Sequence, residues 1–324
     1  MRLLARAIHL AAALVTLSVL PGQAQTGQAQ IWPQRTVRVI LPIGPGSATD
    51  LTARLFAERL AARWGQPVVV ENRPGADGIP AVTSFIAARD EHTLFFSFGG
   101  PVTTNLVTRE KLPYDVGDLV PIASASESFL AIAAHGDIAS LGDLVRRARA
   151  EPGKINWAST PGLPHFIFAG FLKSAGLDMT HVAYRDFAPA QQDVTEGRIQ
   201  VISASLQLAL APARSGKARL LAITTAERSP LVPEVPTAKE AGYPDLLIDS
   251  FQGFFGWRGM PESLRDRIAA DVRAVGGDPE IAQRLIPIGQ MLKLGNPAEF
   301  AAMIEGQRKK VSAIAKAIGL KPTQ

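Results

Sequence analysis

The chain has 324 residues, of which 47% are hydrophobic and 19% are charged, and it contains no cysteine. This composition suffices for one large or two medium domains with apolar cores and argues against a largely disordered chain. The absence of cysteine excludes disulfides, thiol nucleophiles and thiolate metal sites, while the formal net charge of +5, with its Lys and Arg residues scattered, gives no sign of a nucleic-acid-binding surface.

The N-terminal residues 1–24 have the pattern of a secretory signal peptide. Arg2 and Arg6 form a short positive segment, an apolar run covers 10–20, and the small residues Gly22 and Ala24 precede the predicted cleavage site. An uncleaved anchor is the alternative, although the apolar run is short for a helix that crosses a bilayer. We therefore expect a periplasmic protein whose signal peptide is cleaved after Ala24.

The first elements predicted beyond this segment are a strand, a helix and a second strand. The first strand covers 36–43 and changes from alternating to fully apolar, as a strand that enters a buried sheet does. A glycine-containing loop, 44–50, leads into a helix over 49–64, which ends at Gly65. The second strand, 67–72, is rich in β-branched residues. Strand, helix and strand in this order form the unit of a parallel sheet.

The alternation of strands and helices continues as far as residue 227. Further predicted strands cover 93–98, 155–160, 179–184, 199–205 and 219–227, and further predicted helices cover 81–90, 140–154, 165–175 and 187–197. The segment 121–135 is predicted to be one long extended segment. Two long strand segments, 121–135 and 219–227, suggest two lobes joined by two crossovers, but the periodicity equally permits one doubly wound domain.

The predicted domain organisation follows from these two crossovers. A polar linker covers 25–31. The first lobe comprises 32–126 and 228–324, and the second lobe comprises 127–227.

Two loops, 44–50 and 161–166, are candidate binding loops because each joins a strand to a helix. Ligands of open α/β sheets lie beyond the carboxyl ends of strands, and the free N–H groups at a helix N-terminus attract anions. His165 could donate a hydrogen bond to a carboxylate, and Tyr184 ends a strand and could reach a cleft. The alternatives are an ordinary capped turn for the first loop, a structural histidine, and a partly buried core tyrosine.

Sequence patterns of common catalytic sites are absent. The chain has no GxSxG, no HExxH and no P-loop. The histidines beyond the signal peptide, His92, His135, His165 and His181, do not have the spacing of metal ligands. We therefore expect no catalytic residues, no metal and no cofactor, with a secreted enzyme of the same fold as an alternative.

Several segments in the same order resemble the substrate-binding proteins of tripartite tricarboxylate transporters, also called the Bug family. They are PQRTVRVILPIGPGSATDLTARLFAERL (33–60), GQPVVVENRPGADG (65–78), KLPYD (111–115), KINWAS (154–159), HVAYRDFAPA (181–190) and ERSPLVPEVPTAKEAGYP (227–244). The resemblance covers about 32–320, and its ENRPGA and RSPLVPEVPTAKEAG stretches are quite specific.

The resemblance implies a type II periplasmic binding protein, an α/β fold with two lobes joined by two crossing strands and a ligand cleft between them. It further implies a monomeric receptor, not an enzyme, that captures a small carboxylate-bearing organic acid. The receptor would deliver this ligand to the large and small integral-membrane subunits of a transporter. A ligand-sensing periplasmic co-receptor for a two-component signalling kinase is the alternative.

The ligand-binding positions that the resemblance implies lie in loops of both lobes. They are Gly46, Ser47, Ala48, Thr49, Asp50, Gly99, Gly100, Asn105, Ser159, Gly162, His165, Tyr184, Ser205 and Phe251. The chain departs from the family pattern where Ser47 replaces a second glycine, where Ala204 and Ser205 replace Asp-Asn, and where Phe251 replaces a tryptophan. Loss of an acidic residue at 204–205 predicts a more anionic or more apolar ligand.

Overall fold

The computed structural model describes residues 32–184 and 186–323. The signal peptide and linker predicted over 1–31 lie outside the described residues. Within the described ranges, no helix is both long enough and apolar enough to cross a membrane.

Strands and helices alternate along the chain. The strands are β1 (Val37–Leu41), β2 (Val68–Asn72), β3 (Thr93–Phe98), β4 (Leu119–Ser128), β5 (Leu130–His135), β6 (Asn156–Ser159), β7 (Thr180–His181), β8 (Val201–Ser205), β9 (Ala218–Ile223), β10 (Gln252–Trp257) and β11 (Gln290–Gly295). The helices are α1 (Ala48–Trp64), α2 (Ile79–Ala88), α3 (Asn105–Thr108), α4 (Leu141–Ala150), α5 (Leu163–Ser174), α6 (Phe187–Thr195), α7 (Leu206–Arg214), α8 (Glu262–Gly276), α9 (Pro279–Leu285) and α10 (Pro297–Ala317).

The strands form two separate sheets with related plans. The six-stranded sheet has the order β11-β4-β10-β3-β1-β2, and the five-stranded sheet has the order β7-β6-β8-β5-β9. In the first sheet β10 lies antiparallel between β3 and β4, and in the second β5 lies antiparallel between β8 and β9. In each sheet, the strand that enters from the other lobe is therefore antiparallel to both of its neighbours; the edge strand β11 is also antiparallel to β4. These two sheets exclude the single doubly wound domain.

The chain crosses between the sheets where the sequence predicted one long strand. The extended segment predicted over 121–135 is two strands in different sheets, separated by the buried Phe129. The return crossing lies between β9 and β10. Ser128 N donates to Ser250 Oγ at 2.9 Å, and Ser250 Oγ donates to Ser128 O at 2.8 Å. The two crossing segments therefore run side by side.

Each sheet has an apolar core of its own. Phe95, Phe255 and Phe300 lie in the cluster that covers one face of the six-stranded sheet, whereas Trp157 and Phe168 lie in a cluster on the five-stranded sheet. Full burial of such a side chain stabilises the fold by about 1.5–3 kcal/mol. Because the chain has no cysteine, this burial takes the place of disulfides.

Residues in the segment between β9 and β10 pack with the second lobe. Ala238, Leu246 and Ile248 pack in the same cluster as Trp157 of the five-stranded sheet, and Ile223 forms an isolated bridge with Thr237. We therefore propose that the second lobe extends to about residue 248 rather than ending at 227.

The C-terminal helix contacts both lobes. Phe300, near the start of α10, belongs to the core cluster of the six-stranded sheet. Val311 and Ala315, near its end, pack against Phe166 of α5. At Gly170 of α5, a Cβ atom would lie 3.0 Å from Ile314 of α10, so the glycine permits the close approach of the two helices.

Candidate functional site

A cavity of about 370 Å³ lies between the two lobes. Its walls come from strand ends and helix starts of both sheets and from the two crossing segments. The lining residues are Ile43, Thr49, Asp77, Phe98, Gly99, Gly100, Thr103, Thr104, Asn105, Ser128, Leu130, Thr160, Pro161, Gly162, Leu163, Pro164, Ser205, Leu208, Ser250, Phe251, Gln252 and Gln307.

The residues that the sequence assigned to ligand binding divide into two groups. Those that line the cavity are Thr49, Gly99, Gly100, Asn105, Gly162, Ser205 and Phe251. Those that do not line it are Gly46, Ser47, Ala48, Asp50, Ser159, His165 and Tyr184. Apart from Tyr184, the second group lies in the same loops as the first or next to them.

The first-lobe turn, 44–50, is held together by hydrogen bonds within it and to its neighbours. Ser47 Oγ accepts from Asp50 N at 3.2 Å, and Gly46 N donates to Asp50 Oδ2 at 2.9 Å. Arg54 Nε and Asn72 Nδ2 also donate to the Asp50 carboxylate, at 3.0 and 2.8 Å. Burial raises the pKa of Asp50, but these hydrogen bonds outweigh burial and hold the pKa below its ordinary value. Asp50 therefore holds the turn together and is buried away from the cavity.

The start of α4, outside the cavity lining, has the same arrangement as this turn. Ser140 Oγ accepts from Asp143 N at 3.1 Å, and Asp143 Oδ2 accepts from Ala139 N at 2.9 Å. Arg147 Nε contacts the Asp143 carboxylate as Arg54 contacts that of Asp50. A serine cap with an aspartate three residues later is thus a structural device of this chain, which supports the capped-turn interpretation of 44–50.

The second-lobe turn leaves the start of α5 uncapped. No side chain caps this helix, and Gly162 before it has φ 80° and ψ −137°, a conformation that favours glycine. Gly162, Leu163 and Pro164 all line the cavity. Because the first N–H groups of a helix have no partner within it, the positive end of α5 faces the cavity.

A second helix of this lobe begins at the same wall. Ser205 precedes α7 and makes no side-chain cap, and both Ser205 and Leu208 line the cavity. The first amide of α7, at Leu206, donates to Phe129 O at 2.7 Å. The second-lobe wall therefore presents one open helix N-terminus and a hydroxyl beside it, both suited to an anion.

His165 lies behind this wall in an aromatic cluster. Its Nδ1 is 3.1 Å from Ser159 Oγ, and its ring stacks on Trp157 with centroids 5.3 Å apart. Burial, and then the neighbouring His181, lower the pKa of His165 to about 4. The ring is therefore neutral at physiological pH, and it orders the turn behind the cavity wall.

Tyr184 also lies outside the cavity lining. Its hydroxyl donates to Asp193 Oδ2 at 2.6 Å. Burial, and then this hydrogen bond, raise the pKa of Tyr184 to about 12. This contact fits the alternative interpretation of Tyr184 as a partly buried structural residue.

The crossing segments contribute polar residues that sequence reasoning missed. Ser128 Oγ accepts from Gln252 Nε2 at 2.9 Å and from Gln290 Nε2 at 2.8 Å. Ser128, Ser250 and Gln252 line the cavity. No motif marks these residues, because only the side-by-side crossing of two distant segments brings them together.

Gln307 of α10 is a further missed residue. Its Oε1 accepts from Thr103 Oγ1 at 2.9 Å, and its Nε2 donates to Asp249 O at 2.7 Å. A Cβ atom at Gly99 would lie 2.0 Å from Gln307 Oε1, so a larger residue at 99 would displace the Gln307 side-chain amide. The sequence marked Gly99 as part of a loop but gave no signal for its distant partner.

Asp77 was also missed, because its segment entered the sequence analysis only as part of the family resemblance. All of 75–78 have positive φ, including the non-glycine residues Ala76 (40°) and Asp77 (54°). This conformation costs roughly 1–2 kcal/mol for each non-glycine residue. Asp77 O accepts from Asn105 Nδ2 at 3.0 Å, and Asp77 Oδ2 accepts from Arg109 at 2.7 Å. Strained backbone that is held by such contacts is typical of functional sites.

This fold and cleft are those of periplasmic binding proteins. The R. palustris protein Rpa4515 with adipate has a TM-score of 0.78 and 28% identity, covering 90% of this chain and 100% of that one. MatC from Rhodopseudomonas palustris with bound malate has a TM-score of 0.71 and 26% identity, covering 88% and 99%. BugD, at 24% identity and a TM-score of 0.74, shows the same fold.

The chain belongs to the family described as tripartite tricarboxylate transporter family receptor, whose pattern matches residues 52–320. A UPF0065 protein of Bordetella bronchiseptica is 33% identical over 323 residues, 98% of this chain and 95% of that protein. Protein BugT of Bordetella pertussis is 32% identical over 233 residues, 70% of this chain and 72% of that protein. The predicted family and fold class are thereby confirmed, and the family and its solved members are solute-binding proteins rather than enzymes.

Proposed function

We propose that this protein is a periplasmic receptor that captures a small organic acid between its lobes and delivers it to the large and small membrane subunits of a tripartite transporter. The observation that carries the proposal is the uncapped N-terminus of α5, which opens into a cavity bounded by both lobes. The family match and the two similar structures with adipate and malate support it.

The ligand's carboxylate would lie at the second-lobe wall. No lysine, arginine or histidine is among the described residues that line the cavity. We place the carboxylate at the start of α5, where the amides of Gly162 and Leu163 and the hydroxyls of Thr160 and Ser205 would hold it, supported by the helix dipole; Pro164 has no N–H to contribute. Such donors are fixed by the fold, so the site is ordered before the ligand arrives.

The ligand's body would contact apolar side chains from both lobes. Phe98 and Phe251 line the first-lobe side, and Leu130, Leu163 and Leu208 line the opposite side. A short carbon chain or a ring fits between these surfaces, whereas a fully hydroxylated molecule such as a sugar would leave polar groups without partners.

Binding would favour closure of the lobes by a population shift. A ligand that touches both walls has more contacts in the closed form than in the open form, and this difference stabilises closure. The two crossing segments with Ser128 and Ser250 are the natural hinge, because they connect the sheets.

A thermal-shift screen followed by calorimetry tests the binding proposal. The panel would contain adipate, malate, succinate, hexanoate and benzoate, with hexane-1,6-diol as the uncharged control. We expect at least one acid to raise the melting temperature, because a ligand that binds only the folded state stabilises it, and the diol to have no effect. Equal shifts by diol and acids, or no shift by any acid, would contradict carboxylate recognition.

Delivery is tested separately from binding. In cells that produce this protein, deletion of its gene should abolish uptake of the labelled acid identified above, and a plasmid copy should restore it. Unchanged uptake together with lost transcriptional induction by the acid would instead support the signalling role.

A further inference from the structure

Asp77 is the one charged residue among the described residues that line the cavity. It belongs to the first lobe, opposite the open start of α5. We propose that Asp77 contacts the end of the ligand remote from its carboxylate. The cleft then prefers a monocarboxylate whose other end carries a hydrogen-bond donor, an ammonium or a hydroxyl group, over a dicarboxylate of equal length. This inference rests on the proposed function of the same cavity.

The position of Asp77 is fixed by a hydrogen bond to its own carbonyl oxygen and by the packing of the residue that follows it. Its carbonyl oxygen accepts from the buried Asn105 at 3.0 Å. The following residue, Gly78, is packed so closely that a Cβ atom there would lie 2.8 Å from Pro42 and 3.2 Å from Pro101. The backbone therefore holds the Asp77 side chain at the cavity wall, although its positive φ is unfavourable.

The carboxylate of Asp77 is only partly used by the protein. Oδ2 accepts from Arg109 at 2.7 Å, while the hydrogen bonds among the described residues leave Oδ1 without a donor. The side chain is 44% exposed. An ionised carboxylate accepts several hydrogen bonds, so Asp77 has acceptor capacity left for a ligand.

The charge of this wall discriminates between ligands. A second ligand carboxylate at Asp77 would meet a like charge, whereas an ammonium or hydroxyl group would donate a charge-assisted hydrogen bond. Arg109 is directed to the other carboxylate oxygen and does not line the cavity. On this proposal Asp77 supplies, on the first-lobe wall, an acidic group that the chain lacks at 204–205, and the preferred ligand is then less anionic than the loss at 204–205 alone predicts.

Three six-carbon ligands that differ only at the far end provide the test: hexanoate, adipate and 6-aminohexanoate. Calorimetry on the full mature protein should give the tightest binding for 6-aminohexanoate and the weakest for adipate. In Asp77→Asn, whose new residue tolerates positive φ, we expect 6-aminohexanoate to lose about tenfold in affinity. Adipate should gain and hexanoate should stay unchanged. The four-carbon series butyrate, succinate and 4-aminobutyrate repeats the comparison for a shorter ligand.

Asp137→Asn is the matched control. Asp137 also pairs with an arginine, Arg147, at 2.8 Å, but lies outside the cavity. The Asp137→Asn variant should leave the ratio of the three affinities unchanged. If Asp137→Asn and Asp77→Asn changed the affinities equally, the change would be due to net charge, which would overturn the proposal. If acids bind but Asp77→Asn keeps the wild-type order, only the role of Asp77 is refuted. If no acid binds the wild type, the proposed function itself fails.

Discussion

Two strand–loop–helix turns, 44–50 and 161–166, look alike in the sequence but differ in the structure. In the first turn, Ser47 Oγ caps Asp50 N, and the Asp50 carboxylate accepts from Gly46 N. In the second, Gly162 precedes a helix that no side chain caps. The difference teaches that a strand–loop–helix pattern does not by itself indicate an anion site, because a local cap can consume the donors that a ligand would need.

The largest effect is expected from Asp50→Ala, which should lower stability by about 3 kcal/mol because several buried donors lose a charged acceptor. Asp143→Ala in the equivalent cap of α4 is the control and should have a similar effect. Since the pKa of Asp50 lies below 3.8 in the fold, its contribution is present above that pH and is lost as the pH falls further. Urea unfolding measures both variants, and a loss of ligand affinity in Asp50→Ala that exceeds its loss of stability would place the first turn in the binding surface.

Gly162→Ala should show the opposite pattern and weaken acid binding. The alanine strains the turn by roughly 1–3 kcal/mol although no atom lies within 4 Å of the added Cβ, so the amides of α5 turn away from the ligand. Gly176→Ala, at the other end of the same helix and also at positive φ with free space, is the control. Both variants should lose similar stability, but only Gly162→Ala should lose affinity for the acid in calorimetry. If the two variants bound the acid with equal affinity, the distinction between the two turns would be removed.

His165→Gln should flatten the pH dependence of stability. In the fold the pKa of His165 is about 4, below the 6.5 of an unperturbed histidine, so the unfolded chain binds the extra proton first. Stability from this group is therefore present above pH 6.5 and decreases as the pH falls towards 4. We expect the decrease in unfolding free energy between pH 6.5 and 4.5 to be smaller by about 1–2 kcal/mol in the variant, after allowance for partial exposure of the ring. Denaturant titrations at both pH values measure it, and identical slopes would refute a buried neutral His165.

The smallest effect is expected from Tyr184→Phe. It removes the hydrogen bond to Asp193 and should lower stability by about 1 kcal/mol. Because Tyr184 does not line the cavity, the affinity for the acid should not change. A clear loss of affinity in calorimetry would extend the second-lobe wall as far as Tyr184.

Local patterns predicted much of the fold. The helix over 49–64 begins at Ala48 and ends before Gly65, whose φ of 65° is the left-handed conformation of a helix C-terminus. The strand over 93–98 has the predicted bounds. The segment 121–135, which was expected to carry a crossover between lobes, does pass from one sheet to the other. It is two strands rather than one, because apolar alternation does not reveal where the first strand ends.

The site was less predictable than the fold. Loops at strand ends pointed to Thr49, Gly99 and Gly162, which line the cavity. Gln252 and Gln307 come from β10 and α10, far along the chain, and reach the cavity through tertiary contacts alone. Asp77 depends on an unusual backbone conformation that its RPGADG segment did not reveal beyond a turn.

The packing of α10 on α5 has a mechanical consequence for opening and closing. The lobes are connected covalently at two crossing segments, but Val311, Ile314 and Ala315 of the C-terminal helix add a third, non-covalent tether to the second lobe. A rotation about the crossing segments must then either slide Ile314 along the groove at Gly170 or bend α10. The contact between α10 and α5 therefore restricts how far the lobes can open and close. It acts on α5, the helix whose N-terminus faces the cavity.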